Sequence, residues 1–385
     1  MSDKYTMNKI YSFLILSVFL ALTAGCGSQK ADLKEFDREI YTPGYASGFR
    51  MLGAEGRESV LIESTDPWQG ADSVVRRLFI VRGDEDVPEG YDGKVIHDSV
   101  SRIVAMSSTH IAMLDAIGAV DCVVGVSGKD FITNPTLRSR GDSVGDVGYD
   151  GNIDYELMVA LQPDLVLLYG TNGASGMERK LDELDIPYMY IGDYLEESPL
   201  GKVEWMVPLG EVTGRRKEAE VRIATIVRNY NSLLEKVKSS DERPAVMLNA
   251  PYGDAWFLPP RDSYMARLIQ DAGGEYLGRD NRSSSSVAVD REKAFLMSDR
   301  ADIWLNAGSF NTLGELSRAL PQWGDLKVVR NGMVYNNTAR QTGGGGNDFF
   351  ESGTVNPDVI LADLVEIFHP SLMKDRELVY YKRLD

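Results

Sequence analysis

Cysteine is almost absent from this chain. Of the two in 385 residues, Cys26 closes an N-terminal targeting segment and Cys122 lies in the apolar stretch 120–126. No disulfide framework is available, so stability has to come from packed cores. Histidine is nearly as scarce: His97, His110 and His369 stand in separate regions with no His-Glu-x-x-His pattern. No serine sits in a Gly-x-Ser-x-Gly elbow, and Cys122 in its apolar setting is expected to be inert. These gaps remove the usual nucleophile-and-base arrangements of an enzyme. Tyr149-Asp150, Asp193 and Asp254 offer oxygens to a bare metal, but nothing in their spacing demands one. Basic residues are also in deficit, 41 against 58 acidic ones. The resulting net charge of -17 argues against nucleic acid or an anionic membrane surface as partner.

Lys4 and Lys9 precede an apolar run, Ile10 to Leu22, that is too short and too weakly flanked to span a bilayer. It reads as a signal peptide. Leu22-Thr23-Ala24-Gly25-Cys26 resembles a bacterial lipoprotein box, although Thr23 stands where an aliphatic residue is usual, and Cys26 is the expected lipidated first residue of the mature chain. The remaining length, about 360 residues, suffices for two cores of common domain size. The expected divisions are a signal peptide over 1–25, a tether and β-rich extension over 26–98, an α/β lobe over 99–198, linking helices over 199–238 and a second α/β lobe over 239–385.

In the extension, Ser59 to Ile62 and Val74 to Val81 read as strands on either side of the Asp66-Pro67-Trp68-Gln69-Gly70 turn, with Val95-Ile96 after a second turn. Two or three short strands are marginal alone, so a small antiparallel sheet laid on the first lobe is expected. From Arg102 the pattern changes. A short apolar strand, the cap Ser107-Ser108-Thr109 and a helix from His110 to Ile117 open a series in which four-residue strands alternate with helices. That alternation predicts a parallel sheet. Leu200 to Val212 is helical, with a kink expected at Pro208. Ala219, Ile223, Ile226, Val227, Tyr230, Leu233, Leu234 and Val237 then recur at spacings of three and four. They mark one amphipathic helix, Arg216 to Val237, roughly 33 Å long. Beyond it the alternation restarts, with strands at Ala245 to Asn249 and Ile303 to Leu305, short edges at Val328-Val329 and Met333 to Tyr335, and a final helix from Pro357 to Phe368.

The two halves rhyme. Glu156 begins a short helix that hands over through Asp164 to the apolar run Leu165-Val166-Leu167-Leu168; Glu292 begins another that hands over through Asp302 to Ile303-Trp304-Leu305, with two extra residues between helix and strand.

On Arg102 to His110, the Glu156 to Leu168 segment, the long helix and Glu292 with its strand, the chain resembles the helical-backbone periplasmic binding proteins of metal-chelate ABC transporters, and most of all their Bacteroidetes lipoprotein branch. That family handles ferric siderophores, haem and cobalamin. The resemblance implies a class III architecture: two three-layer α/β lobes with short parallel sheets joined by one backbone helix, here with a small β-rich extension in front. It implies a monomer without intrinsic cofactor, lipid-anchored in the periplasm of a Gram-negative bacterium. Such a protein takes a ferric siderophore or similar iron complex between its lobes, haem or cobalamin being the alternatives, and delivers it to an ABC-transporter permease dimer. It also implies that Glu156 and Glu292, one per lobe, meet permease arginines. A first-turn carboxylate, favoured by the helix dipole and able to accept two hydrogen bonds from arginine, fits that role. An acid that merely begins a helix is the plain alternative.

Ligands of α/β lobes collect outside the carboxyl ends of the strands. Candidates there are Ser108, Thr109, His110, Lys129, Tyr169 and Asn172 from the first lobe and Tyr252, Trp256, Phe310 and Arg340 from the second. The set is aromatic and weakly polar, suited to a large, partly flat ligand. Trp256 is read as a stacking wall or as core, Arg340 as a partner for a ligand carboxylate or catecholate or as a solvent-facing cation. His110 is read as a structural helix-turn residue or an axial ligand to haem. Gly343 to Gly346 lack the lysine and hydroxyl of a phosphate loop and are expected to allow close backbone approach or loop movement. A hydrolase on this scaffold and a non-transport recognition module remain as other readings.

Overall fold

Three five-stranded sheets carry the chain, which a computed structural model describes for residues 32–149, 151–171, 173–374 and 376–385. The signal peptide, Cys26, Asp150 and Asn172 lie outside the described residues. The first sheet runs β1 (Arg38–Tyr41), β2 (Phe49–Gly53), β3 (Val60–Thr65), β4 (Val75–Val81), β5 (Lys94–His97) in spatial order. Period-two alternation sends Met51, Val60, Ile62, Leu78 and Ile80 to the main core, and Leu52, Leu61, Phe79 and Val81 to a smaller core closed by Phe36. The extension is therefore larger than the two or three strands expected. It is also not wholly antiparallel, because β5 pairs parallel to β4.

The first lobe alternates β6 (Ile103–Ala105), α1 (Ser108–Ala116), β7 (Val123–Val126), α2 (Pro135–Ser139), β8 (Gly145–Asp146), α3 (Tyr155–Ala160), β9 (Leu165–Leu168), α4 (Glu178–Glu183) and β10 (Tyr188–Tyr190). Its sheet is all parallel, in the order β10-β9-β6-β7-β8. Ser107 caps α1 by accepting from the Thr109 N–H.

Three helices follow: α5 (Pro199–Glu204), α6 (Met206–Thr213) and α7 (Arg216–Val237). The break falls at Trp205 rather than at Pro208. Pro208 occupies the first turn of α6, where a missing N–H costs nothing. Ala219, Ile223, Ile226, Tyr230, Leu233 and Val237 form the buried stripe of α7.

The second lobe contains β11 (Ala245–Leu248), β12 (Ala255–Leu258), α8 (Tyr264–Asp271), β13 (Glu275–Tyr276), β14 (Val287–Asp290), α9 (Arg291–Ser298) and β15 (Ile303–Leu305). It continues with α10 (Leu313–Ala319), α11 (Pro321–Gly324), α12 (Lys327–Arg330), β16 (Val334–Asn336), α13 (Pro357–Phe368), α14 (Pro370–Met373) and β17 (Lys382–Arg383). The sheet order is β13-β11-β15-β16-β17, parallel except for β17, and β12 and β14 pair antiparallel as a separate two-stranded sheet. Val328-Val329, expected as an edge strand, lies in α12, where both residues are buried against the core.

Buried carboxylates fix the extension to the linking segment. Glu204, 3 % exposed, accepts from the backbone N–H groups of Gly44 (2.9 Å), Tyr45 (2.7 Å) and Ala46 (2.5 Å) and from the Tyr41 hydroxyl (3.2 Å). Glu196 accepts from the Ser47 and Gly48 N–H groups and from the Trp205 indole (3.1 Å). A Cβ on Gly48 would stand 2.8 Å from the Trp205 ring, so this loop requires glycine there. Glu211 pairs with Arg82 at 2.7 Å. Glu204→Ala leaves three backbone donors and a phenol without their shared acceptor at a part-buried site. The expected loss of folding stability is about 3 kcal/mol or more, read as a lower urea midpoint, whereas an exposed acid such as Glu235 changed to Ala should cost under about 0.5 kcal/mol.

Candidate functional site

The carboxyl ends of β6, β7 and β9 place Met106, Ser127, Leu168 and Tyr169 around a cavity of about 540 Å³. Tyr149, Ile153, Tyr155 and Met177 complete its walls, with residues 170–171 and 173–176 along one side. No lysine, arginine or carboxylate is among the described lining residues. The cavity therefore offers aromatic faces, thioethers and backbone polar groups in place of fixed charge.

The second lobe reaches the rim of this cavity. Tyr149 packs edge-on against Phe131, with ring centroids 5.9 Å apart. The backbone carbonyls of Asp130 and Phe131 lie so close to the 343–346 loop that a Cβ on Gly344 or Gly346 would meet them at 2.7 and 2.3 Å. The glycine run thus serves close backbone approach between lobes. Beside it, Glu351 accepts from the N–H groups of Thr133 (2.7 Å) and Asn134 (2.6 Å), and Asp348 accepts from the Thr133 hydroxyl (3.0 Å). These bonds clasp the lobes together.

A second interlobe contact is polar and buried. Thr109 Oγ1 donates to Asp193 (3.4 Å), and Lys202 Nζ donates to the Asp193 carbonyl (2.9 Å) while lying 5.2 Å over the ring of Tyr264. Burial pushes the Asp193 carboxyl up and the Lys202 ammonium down, each opposed by the charge of the other.

Of the residues singled out from sequence, Tyr169 lines the cavity, while Ser108 and Thr109 sit half-buried at the start of α1. Tyr252 is 81 % exposed on the turn after β11, and Phe310 is half-buried, its carbonyl accepting from Asn336 at 2.7 Å. Asn172 lies outside the described residues. Four others are engaged elsewhere. His110 is fully buried, its ring 6.4 Å edge-on from that of Tyr169, and burial lowers its pKa to about 3, so the imidazole is neutral. Trp256 is core: its indole donates to the Leu248 carbonyl and packs 5.9 Å from Trp304 and 6.1 Å from Trp323. The Lys129 ammonium ties down the carbonyls of Gly141 (2.7 Å) and Val144 (3.1 Å). Arg340 is paired with buried Asp348 and stacked on Tyr380. Glu156 and Glu292 are exposed, and neither carboxylate has a partner among the described residues.

Met106, Ile153, Tyr155, Met177, Lys202 and Glu351 were not singled out. Met106 was within reach of sequence, since it directly follows the first apolar strand. The others depend on how loops fold across strand ends. Among the described residues no group of three His, Cys, Asp or Glu side chains converges to hold a metal ion.

Two lobes of parallel strands, one long connecting helix and a pocket at the strand ends define a class III solute-binding protein. The chain belongs to the periplasmic binding protein family, whose model matches residues 103–340. It is thus a capture protein and not an enzyme. It is similar to a periplasmic binding protein from Veillonella parvula DSM 2008, 17 % identical with a TM-score of 0.59 over 81 % of this chain and 98 % of that one. A periplasmic heme binding protein from Pseudomonas aeruginosa is 17 % identical with a TM-score of 0.56, covering 74 % of this chain and 98 % of that one. At these identities the likeness is one of fold. An uncharacterized lipoprotein of Methanocaldococcus jannaschii is 25 % identical over 327 residues, 80 % of this chain and 76 % of the relative.

The clasp carries a pH dependence. Burial pushes the Glu351 carboxyl up from 4.5 to about 6, against the pull of the Thr133 and Asn134 N–H donors. Between those values the folded protein holds a proton that the unfolded chain has released, so this stabilisation is present at low pH and lost as pH rises through about 6. Wild type measured against Glu351→Gln by urea unfolding should lose about 2 kcal/mol of relative stability from pH 4 to 7. A difference independent of pH would show that the carboxyl titrates alike in both states.

Proposed function

We propose that this protein is a lipid-anchored carrier that binds a metal chelate between its lobes and passes it to an ABC-transporter permease. The favoured ligand is a ferric siderophore or similar iron complex. The observation that carries the reading is the aromatic, uncharged cavity at the carboxyl ends of β6, β7 and β9, with the second lobe clasped to its rim. A chelate neutralised by its own metal can be held there by stacking and hydrogen bonds, without a cationic side chain to balance it. The lipid anchor rests on the motif ending at Cys26 and accords with the description of the Methanocaldococcus jannaschii relative as a lipoprotein.

Haem is the second reading, because Tyr149, Tyr155 and Tyr169 bring three phenols to the cavity and a phenolate can serve as an axial ligand. Similarity in fold to the Pseudomonas aeruginosa heme binding protein favours it as well. Titration of the purified protein with ferrioxamine B, haemin and cyanocobalamin, followed by absorption and tryptophan fluorescence, separates the readings; saturation by none of them overturns both.

Delivery depends on Glu156 and Glu292, the two exposed first-turn acids. Replacing both with Lys should leave the Kd for the bound chelate within twofold of wild type while transporter-dependent uptake falls at least tenfold. Weakened binding in the double variant would instead place the acids in the pocket.

A further inference from the structure

The cavity wall formed by residues 169–171 and 173–176 contains Gly170, Gly173 and Gly176. Gly173 and Gly176 have φ of 129° and 78°. A segment so rich in glycine has little conformational preference of its own, and its shape has to be imposed by neighbours. The neighbours on one side come from the N-terminal extension, which lies ahead of the family match that begins at residue 103.

The turn between β3 and β4 crosses to the first lobe and touches this loop directly. Trp68 forms a parallel bridge with Gly170, and an added Cβ on Gly170 would stand 3.3 Å from the Trp68 Cβ and 2.3 Å from the Gly173 carbonyl. The Tyr194 hydroxyl accepts from the Gln69 N–H at 3.0 Å and donates to the Gly170 carbonyl, so one phenol joins turn and loop. The Trp68 ring lies 5.3 Å from that of Tyr190, whose hydroxyl accepts from the Ser175 N–H at 2.8 Å and donates to Glu178. Arg76 also lies over the Trp68 ring, 5.2 Å from its centroid. Both ends of the loop are therefore tied to the Trp68–Tyr190 pair, at Gly170 and at Ser175.

We propose that the 66–70 turn of the extension is a positioning element of the ligand site: Trp68 and Gln69 hold the 169–176 wall in its binding shape and so set the affinity of the cavity. Ordering this wall is done before the ligand arrives, which removes an entropic cost from binding. The inference rests on reading the cavity as the chelate site. Its physical core, that the turn orders the loop, does not.

The test uses the full mature chain with Trp68→Ala, Trp68→Phe and Tyr194→Phe. Hydrogen–deuterium exchange over residues 169–177 is measured without ligand, and affinity is measured for ferrioxamine B and haemin. Trp68→Ala should raise exchange in that segment at least tenfold, leave β6, β7 and β9 protected, and weaken the bound probe at least tenfold. Trp68→Phe should recover most of both. If Trp68→Ala does not fold, Tyr194→Phe removes only the linking hydroxyl and should raise exchange at Gly170 and weaken the probe at least threefold. Exchange unchanged from wild type, or faster exchange with unchanged affinity, overturns the proposal. Failure of wild type to bind either probe counts against the chelate reading, while the exchange measurement still decides the bracing.

Discussion

Two lobes bear on one helix, and that constraint shapes the molecule. The buried stripe of α7 packs against α6 on the side of the first lobe and against α13 of the second. Polar contacts add to it: Asn229 donates to Asp358 (2.9 Å), Arg222 to Asn356, and Tyr230 to Asp271 of α8 (2.6 Å). The same apolar cluster continues from α7 into both sheets and the inner face of the extension. A hinge needs backbone free to rotate at a few positions, and a 22-residue helix with a continuous buried face has none within it. Relative movement of the lobes is thereby confined to small tilts that keep the stripe covered. The Glu351 clasp and the glycine loop join the lobes at the cavity rim.

The internal echo has a physical explanation in hydrogen bonding. Asp154 and Asp290 each cap a helix by accepting from the third residue beyond, Leu157 and Lys293, both at 2.8 Å. Glu156 and Glu292 fall at the second helical position in each case, where Met158 and Ala294 two residues on turn inward. The acids are therefore forced outward by the same cap that starts the helix. At the other end, Asp164 accepts from the Ser101 and Arg102 N–H groups, and Asp302 accepts from Ala245, so in both lobes an aspartate before one strand secures the start of its neighbour. Strand and helix placement are thus repeated even where the intervening lengths differ by two residues.

This explains which parts of the structure could be read in advance. α7 was legible to the residue because amphipathic spacing over 22 positions is a strong signal, and β6, β7, β9 and β10 were legible because short apolar runs between helices leave little choice, whereas β8, the pair Gly145–Asp146, carries no apolar signal and was not expected. The extension was half-read. β1 and β2 interleave Arg38, Glu39 and Arg50 with apolar residues, and the loop that joins them is held by Glu196 and Glu204, more than a hundred residues away. The site was the least legible part. Strand ends led to Tyr169, which lines the cavity, and equally to His110, Trp256 and Lys129, which are buried or bound to nearby carbonyls. Chain position fixes where a residue begins; which way its side chain points is decided by packing that no local pattern encodes.

The distribution of charge bears on what the cavity can hold. The chain carries a net charge of -17, yet the described lining residues contribute none of it. Arg340 and Lys129, the two cations that sequence placed at strand ends, are both committed to internal partners. A highly anionic chelate approaching such a protein would meet repulsion, screened beyond roughly 8 Å at physiological ionic strength, and then find no cation to offset its desolvation. A chelate whose metal cancels the charge of its donor groups pays neither cost and can still use the aromatic walls. An uncharged pocket within an acidic protein thus offers a multiply charged solute no offset for the water it would lose on entering.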